Sequence, residues 1–293
     1  MFIRKRGFYM KYKIISLDID GTLTNSEKLI TEKTRKRLIE FQRDGGRVVL
    51  ASGRPVAGIV PHAETLELKK YGGYILAFNG GCVIDCKSGN ILFQEKLPLD
   101  VIPEIYDVVK DYPVGINTYE GNNIVVGNQM NKYTQIEAKI NGLGIKFVED
   151  FPKYVNFDIN KCLLHGEPEQ ILRLEEILSE KFGEKLGIFK SEAFFLEIVP
   201  KCVDKAKSID RLLKIIGINT EECIACGDGF NDISMIKYAG LGVAMSNAKP
   251  PVKAVADYIT LSNDEDGIAH LIKKINSIPY RQSKFGMNMI SKK

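Results

Sequence analysis

Short apolar runs alternate with amphipathic stretches along the first third of the chain. The runs predict strands that each end at a polar turn, and the first amphipathic stretch predicts a helix whose inner face includes Thr34, Leu38 and Phe41. The predicted strands cover residues 12–17, 47–51 and 74–78, and the helix covers residues 31–43. Because the strands show no polar alternation, we expect both of their faces to be covered, as in a parallel sheet.

The alternation of strands and helices predicts right-handed crossovers and a doubly wound α/β sheet. In such sheets ligands bind beyond the carboxyl ends of the strands. Asp18, Ser52 and Asn79 each follow one of the three predicted strands directly. We therefore expect these three residues to share one site.

The pattern changes after residue 82 and returns near the C-terminus. A predicted hairpin (83–85 and 91–94) is followed by a block with helices at about 100–111, 130–141 and 168–182 and short strands between them. The later elements are strands at 222–226, 242–245 and 257–260 and helices at 208–216, 231–238 and 250–255. We therefore predict a core domain of residues 1–85 and 200–293, with an inserted α/β domain of residues 86–199.

Composition limits the classes of function. The chain has 293 residues, 44% hydrophobic and 27% charged, and a net charge of +4 without a basic stripe, so no nucleic-acid partner is expected. Arg4, Lys5 and Arg6 at one end and Lys292 and Lys293 at the other are interpreted as solvated tails. Asp18 and Asp20 interrupt the apolar run that a signal peptide needs, and no membrane span is apparent. We expect a cytoplasmic protein; translation from Met1 or Met10 and the oligomeric state stay open.

The cysteines do not predict a metal site. Cys223 and Cys226 form a CxxC pair within a predicted strand, where residues three apart point to opposite faces. The histidines, at positions 62, 165 and 270, are isolated, which weakens any zinc site further. We expect the six cysteines to be small buried side chains of a protein in a reducing compartment.

Two acidic clusters carry the candidate chemistry. The first is Asp18-Ile19-Asp20-Gly21-Thr22, where like charges about 4 Å apart would cost about 4 kcal/mol at an effective dielectric near 20. A solvated turn with a helix cap is the alternative. The second, Gly227-Asp228-Gly229-Phe230-Asn231-Asp232, could alone be a turn with an N-cap. Two such clusters at two parallel strand ends favour one shared cation, and oxygen ligands suit Mg²⁺.

Four segments, taken in order, resemble those of the haloacid dehalogenase superfamily, specifically the Cof-type phosphatases with a large α/β cap domain. They are Asp18-Ile19-Asp20-Gly21-Thr22, Ser52-Gly53-Arg54, Lys205, and the segment from Gly227 to Asp232. The stretches 243–248 and 262–267 also look typical of that group. One departure is Ala206, which stands where the family usually has glycine.

The resemblance implies a role for each matching residue. Asp18 would be the nucleophile, and Asp20 would protonate the leaving oxygen and then activate water. Mg²⁺ would be held by the Asp18 carboxylate, the backbone carbonyl of Asp20 and Asp228, with Asp232 either a further ligand or a residue that orients the ligands. Ser52 would bind a phosphoryl oxygen, and Lys205 would neutralise charge on the phosphoryl group and hold Asp18 ionised. Residues near the phosphate or substrate would be Gly53, Arg54, Asn79 and Asn231, although Arg54 and Asn79 could equally be structural turn residues.

The activity implied by this resemblance is hydrolysis of small phosphorylated metabolites, such as sugar phosphates or cofactor phosphates. The inserted domain would close over the site and recognise the part of the substrate beyond the phosphate. A phosphomutase, or a catalytically silent binding module on the same fold, are the alternatives.

Overall fold

The computed structural model describes residues 11–277; the basic ends and Met10 lie outside this range. The first segment contains strands β1 (Ile14–Leu17), β2 (Arg47–Ala51), β3 (Tyr74–Ala77), β4 (Cys82–Asp85) and β5 (Ile91–Gln94), and helices α1 (Glu32–Arg43), α2 (Val56–Thr65) and α3 (Leu68–Tyr71). Helix α1 begins where predicted because Thr31 is its N-cap, with a side chain that accepts a hydrogen bond from the backbone N–H of Thr34.

The middle of the chain contains helices α4 (Val101–Val109), α5 (Lys132–Asn141), α6 (Phe151–Tyr154) and α7 (Pro168–Phe182), and strands β6 (Gly115–Glu120), β7 (Asn123–Gly127), β8 (Gly144–Phe147), β9 (Cys162–His165), β10 (Leu186–Glu192) and β11 (Phe195–Pro200). The last segment contains helices α8 (Lys205–Ile216), α9 (Ile233–Tyr238), α10 (Pro250–Lys253) and α11 (Gly267–Ser277), and strands β12 (Cys223–Gly227), β13 (Leu241–Ala244) and β14 (Tyr258–Ile259).

The first and last segments form one eight-stranded sheet in the order β14-β13-β12-β1-β2-β3-β4-β5. The pairs from β14 to β3 are parallel, and β4 and β5 continue the sheet as an antiparallel edge. Helices α1, α2 and α11 pack on one face, and α8 and α9 pack on the other. The predicted doubly wound α/β sheet is therefore confirmed.

The central strands are buried on both faces. Ile14 packs with one apolar layer and Ile15 with the other, and Cys223 and Cys226 likewise lie in opposite layers. The predicted separation of the two CxxC thiols is confirmed.

All six cysteines are free thiols, but Cys202 is exposed and Cys86 is only partly buried, contrary to the expectation that all are buried. Cys86 directly follows β4, in the hairpin at the edge of the first sheet. Cys202 lies in the turn between β11 and α8, outside either sheet.

The inserted domain is built on a six-stranded sheet in the order β10-β11-β9-β6-β7-β8, antiparallel except for β7 and β8. Helices α4 and α7 cover one face with an apolar layer. Strand β5 pairs with β4 in the first sheet, and β11 continues to Pro200. Strand β5 thus belongs to the first sheet, because β4 pairs with β3 and carries the hairpin with it, and the start of the insertion at residue 86 stays a prediction.

Helix α5 covers much of the other face of the inserted sheet, and the part that carries Tyr119 turns toward the strand ends of the core. The ring of Tyr119 on β6 lies 5.7 Å from that of Phe78, which follows β3. Helix α5 packs on α2, where a side chain at Gly58 would meet the Asn141 amide. None of the helices between residues 11 and 277 combines the length and apolar character that crossing a bilayer requires.

Candidate active site

The strand register brings the predicted site residues together. Strand β1 lies between β2 and β12, with Ile14 opposite both Arg47 and Cys223, so all three parallel strands end at the same edge. Asp18, Ser52 and Asp228 follow these strands. Gly21 adopts a positive φ of 81°, and a Cβ there would lie 2.4 Å from Asp228 Oδ2. The turn after Asp18 therefore needs glycine so that the second acidic segment can approach.

Three carboxylates from the two acidic segments converge, as predicted. Asp18, Asp228 and Asp232 each place one oxygen so that all three oxygens lie within 4.8 Å of one another. The buried ammonium of Lys205 donates to Asp18 Oδ1 at 2.8 Å and to Asp232 Oδ1 at 2.6 Å. Lys205 is the first residue of α8, three residues earlier than the predicted helix start.

The electrostatics of this group favour a cation. Burial, reinforced by the charge of Asp232, raises the pKa of Asp18 from 3.8 to about 8, although Lys205 opposes the shift. Burial also raises the pKa of Asp228 to about 6. Burial disfavours the charge on Lys205, but Asp18 and Asp232 outweigh it and raise the pKa of this amine. Three carboxylates against one ammonium match the charge and the oxygen-ligand preference of a divalent ion such as Mg²⁺.

Hydrogen bonds fix the orientation of the second acidic segment. Asp232 Oδ2 accepts from the backbone N–H groups of Asp228 and Gly229, at 3.0 and 2.9 Å. Thr22 Oγ1 donates to Asp228 Oδ1 at 2.7 Å and so ties the two segments together. No role for Thr22 was predicted from the sequence, although its position inside the first acidic motif is a signal.

The Asp20 side chain lies outside the carboxylate group and is held by cations. Arg54 donates from Nε and Nη2 to the two Asp20 oxygens, both at 2.7 Å, and Lys28 Nζ donates at 2.9 Å. Burial disfavours the charge on Asp20, but the Arg54 hydrogen bonds outweigh it and lower the pKa to about 2. The metal ligand predicted for Asp20 is its backbone carbonyl and not its side chain. The side chain lies apart from the three carboxylates, which is consistent with that prediction.

Arg54 and Asn79, predicted either to contact phosphate or to be structural turn residues, both make hydrogen bonds within the protein. Arg54 Nη1 donates to the carbonyl of Ile140 in the inserted domain at 2.8 Å, so its guanidinium joins the two domains. Asn79 has a left-handed backbone with φ of 55°, and its Oδ1 accepts from Asn231 Nδ2 at 3.0 Å. Both residues have structural contacts at the site, and a contact with phosphate stays a prediction.

Ser52 and Gly53 lie at the start of the same turn. Ser52 is buried, and its Oγ accepts from the backbone N–H of Arg54 at 3.2 Å, which leaves the hydroxyl proton able to donate elsewhere. The carbonyl of Gly53 lies 3.4 Å from Lys161 Nζ of the inserted domain. Nothing in the sequence around Lys161 indicated this contact, because it depends on how the two domains meet.

The chain is similar to known proteins of one hydrolase family. The family model described as haloacid dehalogenase-like hydrolase matches residues 15–272. A solved haloacid dehalogenase-like hydrolase from Bacteroides thetaiotaomicron is 47% identical, with a TM-score of 0.88, and covers 90% of this chain and 100% of its own.

Two further relatives carry names that state an activity. The Bacillus subtilis (strain 168) protein named 5-amino-6-(5-phospho-D-ribitylamino)uracil phosphatase YcsE is 32% identical over 261 residues, 89% of this chain and 94% of that protein. A solved structure described as the subclass IIB sugar phosphatase BT4131 is 27% identical, with a TM-score of 0.75, over 91% of this chain and 100% of that one.

Proposed function

Because the chain belongs to the haloacid dehalogenase-like hydrolases and is a phosphatase, we propose that it hydrolyses small phosphomonoesters with Mg²⁺ through a phosphorylated Asp18. The observation that carries the proposal is the convergence of Asp18, Asp228 and Asp232 around Lys205 at one sheet edge. A cytoplasmic location stays a prediction.

The metal site would consist of the Asp18, Asp228 and Asp232 carboxylates and the Asp20 backbone carbonyl. Mg²⁺ bound there supplies positive charge that lets an anionic carboxylate approach an anionic phosphate. Asp232 accepts three hydrogen bonds, one from Lys205 and two from backbone N–H groups. These contacts support a second role for Asp232, which is to orient the metal-binding turn.

The residues of the chain divide the reaction into two balanced steps. A carboxylate oxygen of Asp18 attacks phosphorus, the bond to the leaving oxygen breaks, and Asp20 gives that oxygen a proton. Asp20 then takes a proton from water, whose oxygen attacks phosphorus; the bond between phosphorus and the Asp18 oxygen breaks, which frees phosphate and restores the Asp18 carboxylate. In the substrate-free protein the ion pair with Arg54 holds Asp20 ionised, as the second step requires, so Asp20 must take up a proton when substrate binds before it acts as the acid of the first step. Lys205 neutralises charge beside the nucleophile, and the Ser52 hydroxyl donates to a phosphoryl oxygen.

The substrate class that we propose is a sugar phosphate or a cofactor-related phosphate. The two named relatives act, by their names, on a sugar phosphate and on a phosphorylated ribitylaminouracil, and both are small. An inserted domain that contacts the core through Arg54 and Lys161 supports a site closed over a small molecule.

The test is phosphate release from sugar, polyol, nucleotide, pyridoxal and flavin phosphates, with and without Mg²⁺. We expect Mg²⁺-dependent release from at least one small phosphomonoester without a bisphosphate activator. Transfer of the phosphoryl group back to substrate without free phosphate would indicate a mutase. No turnover of any compound would contradict the proposal.

A further inference from the structure

A turn of the core domain places a second cation beside Asp20. We define the lysine turn as residues 25–29, which follow the first acidic motif. Two backbone hydrogen bonds close it, from the Asn25 N–H to the Leu29 carbonyl at 3.0 Å and from the Lys28 N–H to the Asn25 carbonyl at 2.9 Å. From this turn, Lys28 Nζ donates to Asp20 Oδ1 at 2.9 Å.

Lys28 has a backbone conformation that lysine rarely adopts. Its φ is 63°, in the left-handed region that is unfavourable for residues with a Cβ. A conformation of this kind persists only where the surroundings hold it, and it is typical of functional sites. Here the strained residue is the one that carries the ammonium, which indicates that the turn is built to present this group.

Side-chain hydrogen bonds hold the lysine turn in place. Asn25 Oδ1 accepts from two backbone N–H groups of the turn, at 3.1 and 2.9 Å. Ser26 donates from its backbone N–H and from its hydroxyl to the two oxygens of Asp264, both at 2.7 Å. These contacts lie within the core domain, so the backbone of Lys28 is positioned without the inserted domain.

Asp20 does not need Lys28 as a partner, because Arg54 already donates to both of its oxygens at 2.7 Å. Within the part of the chain that the structure describes, the Lys28 ammonium has a hydrogen bond with Asp20 alone, and its side chain is 59% exposed. An exposed ion pair of this kind contributes little to stability. The ammonium can therefore bind a further anionic group at little cost.

The exposed side of Asp20 is the side that Lys28 borders. The Arg54 side chain is only 10% exposed, whereas that of Asp20 is 36% exposed. In the proposed reaction, Asp20 bonds to the leaving oxygen of the substrate. One hydrogen bond on each side of Asp20 then puts that oxygen within about 6 Å of the Lys28 ammonium. A group two or three bonds beyond the leaving oxygen can reach this cation.

We propose that Lys28 is a specificity-determining residue that binds a carboxylate carried by the leaving group. One ammonium with one exposed side matches the single charge of a carboxylate. This inference rests on the proposed phosphatase function and deepens it, because among small phosphomonoesters it selects phosphorylated hydroxy acids, sugar acids included, over phosphates of neutral alcohols.

The test compares 3-phosphoglycerate with glycerol 3-phosphate, which has a hydroxymethyl group in place of the carboxylate. We expect the wild type to prefer 3-phosphoglycerate, and the ratio of the two kcat/KM values to fall about fivefold or more in Lys28→Met, because a charged hydrogen bond is lost. Lys28→Arg keeps the charge and should retain more than half of the preference. Any effect of Lys28 on Asp20 applies to both substrates and cancels in the ratio.

The matched control is Lys33→Met, because Lys33 is also an exposed lysine with one ion pair, to Asp266 at 3.1 Å. It should leave the substrate ratio at the wild-type value. A similar fall in this control would assign the effect to net charge and overturn the proposal. So would a smaller fall in Lys28→Met, or an equal loss in Lys28→Arg, since the positive charge would then not select the substrate.

Turnover of neutral substrates separates this proposal from the function on which it rests. Asp18-dependent phosphate release from glycerol 3-phosphate or any other phosphomonoester, with no preference for 3-phosphoglycerate, would overturn the role of Lys28 alone. Absence of Asp18-dependent release from every phosphomonoester would overturn the proposed function, and the role of Lys28 with it.

Discussion

Lys205 and Asp18 set the chemistry of the site at the scale of single residues. The ammonium is fully buried between Asp18 and Asp232 and compensates one of three neighbouring carboxylates. Burial is the main cause of the raised pKa of Asp18, and the remaining excess of negative charge adds to it. The excess of negative charge disfavours ionised Asp18 in the metal-free protein. The same excess favours binding of a divalent ion beside Asp18.

Replacing Asp18 with Asn should abolish turnover, because the amide oxygen cannot serve as the nucleophile. We expect phosphate release to fall by at least about 10³-fold, with folding retained. Measurement of phosphate release with circular dichroism checks this. Asp107→Asn, at an exposed position on α4 paired with Lys110, is the control and should remain active. Substantial turnover in Asp18→Asn would assign the nucleophile to another residue.

The raised pKa of Asp18 predicts how the stability of metal-free protein depends on pH. Between the ordinary value of 3.8 and about 8, folded Asp18 binds a proton that the unfolded chain has lost, so stability falls as pH rises. Burial lowers the pKa of His165 to about 4, which has the opposite effect below about pH 6.5. From pH 6.5 to 8 we therefore expect a loss of about 2 kcal/mol, measured by urea unfolding. Asp18→Asn should flatten this slope; an unchanged slope would contradict the assignment.

At the scale of elements, the turn after β2 joins the two domains. Arg54 in this turn uses three donors, two for Asp20 and one for the Ile140 carbonyl in the last turn of α5. The carbonyls at the C-terminal end of a helix lack intrahelical partners and attract cations. One planar group thus contacts both the inserted domain and Asp20.

Arg54→Lys tests this connection, because lysine keeps the charge but cannot form a bidentate pair of hydrogen bonds with a carboxylate. We expect kcat/KM to fall about 10- to 100-fold, with kcat affected because Asp20 is misplaced. Steady-state kinetics over pH 5–9 provide the measurement. Arg37→Lys, at a partly exposed ion pair on α1, should match the wild type. Equal kinetics for both variants would remove Arg54 from the positioning of Asp20.

At the scale of the whole molecule, the site depends on two sheets and one expected cation. The core sheet supplies every proposed metal ligand, and the inserted sheet closes the opposite side. Binding of an ion to the folded state alone stabilises that state by mass action. Metal removal should therefore affect stability as well as activity.

Treatment with EDTA should stop phosphate release, and added Mg²⁺ should restore it. At an Mg²⁺ concentration of about 100 times its Kd, we expect about 2.7 kcal/mol of added stability, seen as a higher Tm. Asp228→Asn, which weakens the site, should reduce this gain. Full activity after metal removal would contradict the proposed role of the ion.

The parts that could be predicted from sequence are those fixed by local pattern. Strand ends placed Asp18, Ser52 and Asp228 at one edge, because parallel strands carry their turns to the same side. The predicted start of α8 lies too late in the chain. Asp204 caps this helix by accepting a hydrogen bond from the Lys207 N–H, and the apolar pattern does not contain that signal. The Lys161 contact depends on domain packing, which no periodicity encodes.

The position of β1 in the sheet has a consequence for synthesis of the protein. Its partner on one side, β12, is translated more than 200 residues later, and Thr22 and Asp228 are 206 positions apart. During translation, Asp18 is synthesised long before Asp228 and Asp232, the residues with which it would bind the ion. A chain that stops before Asp232 therefore has no competent centre, and activity begins only after this segment has emerged.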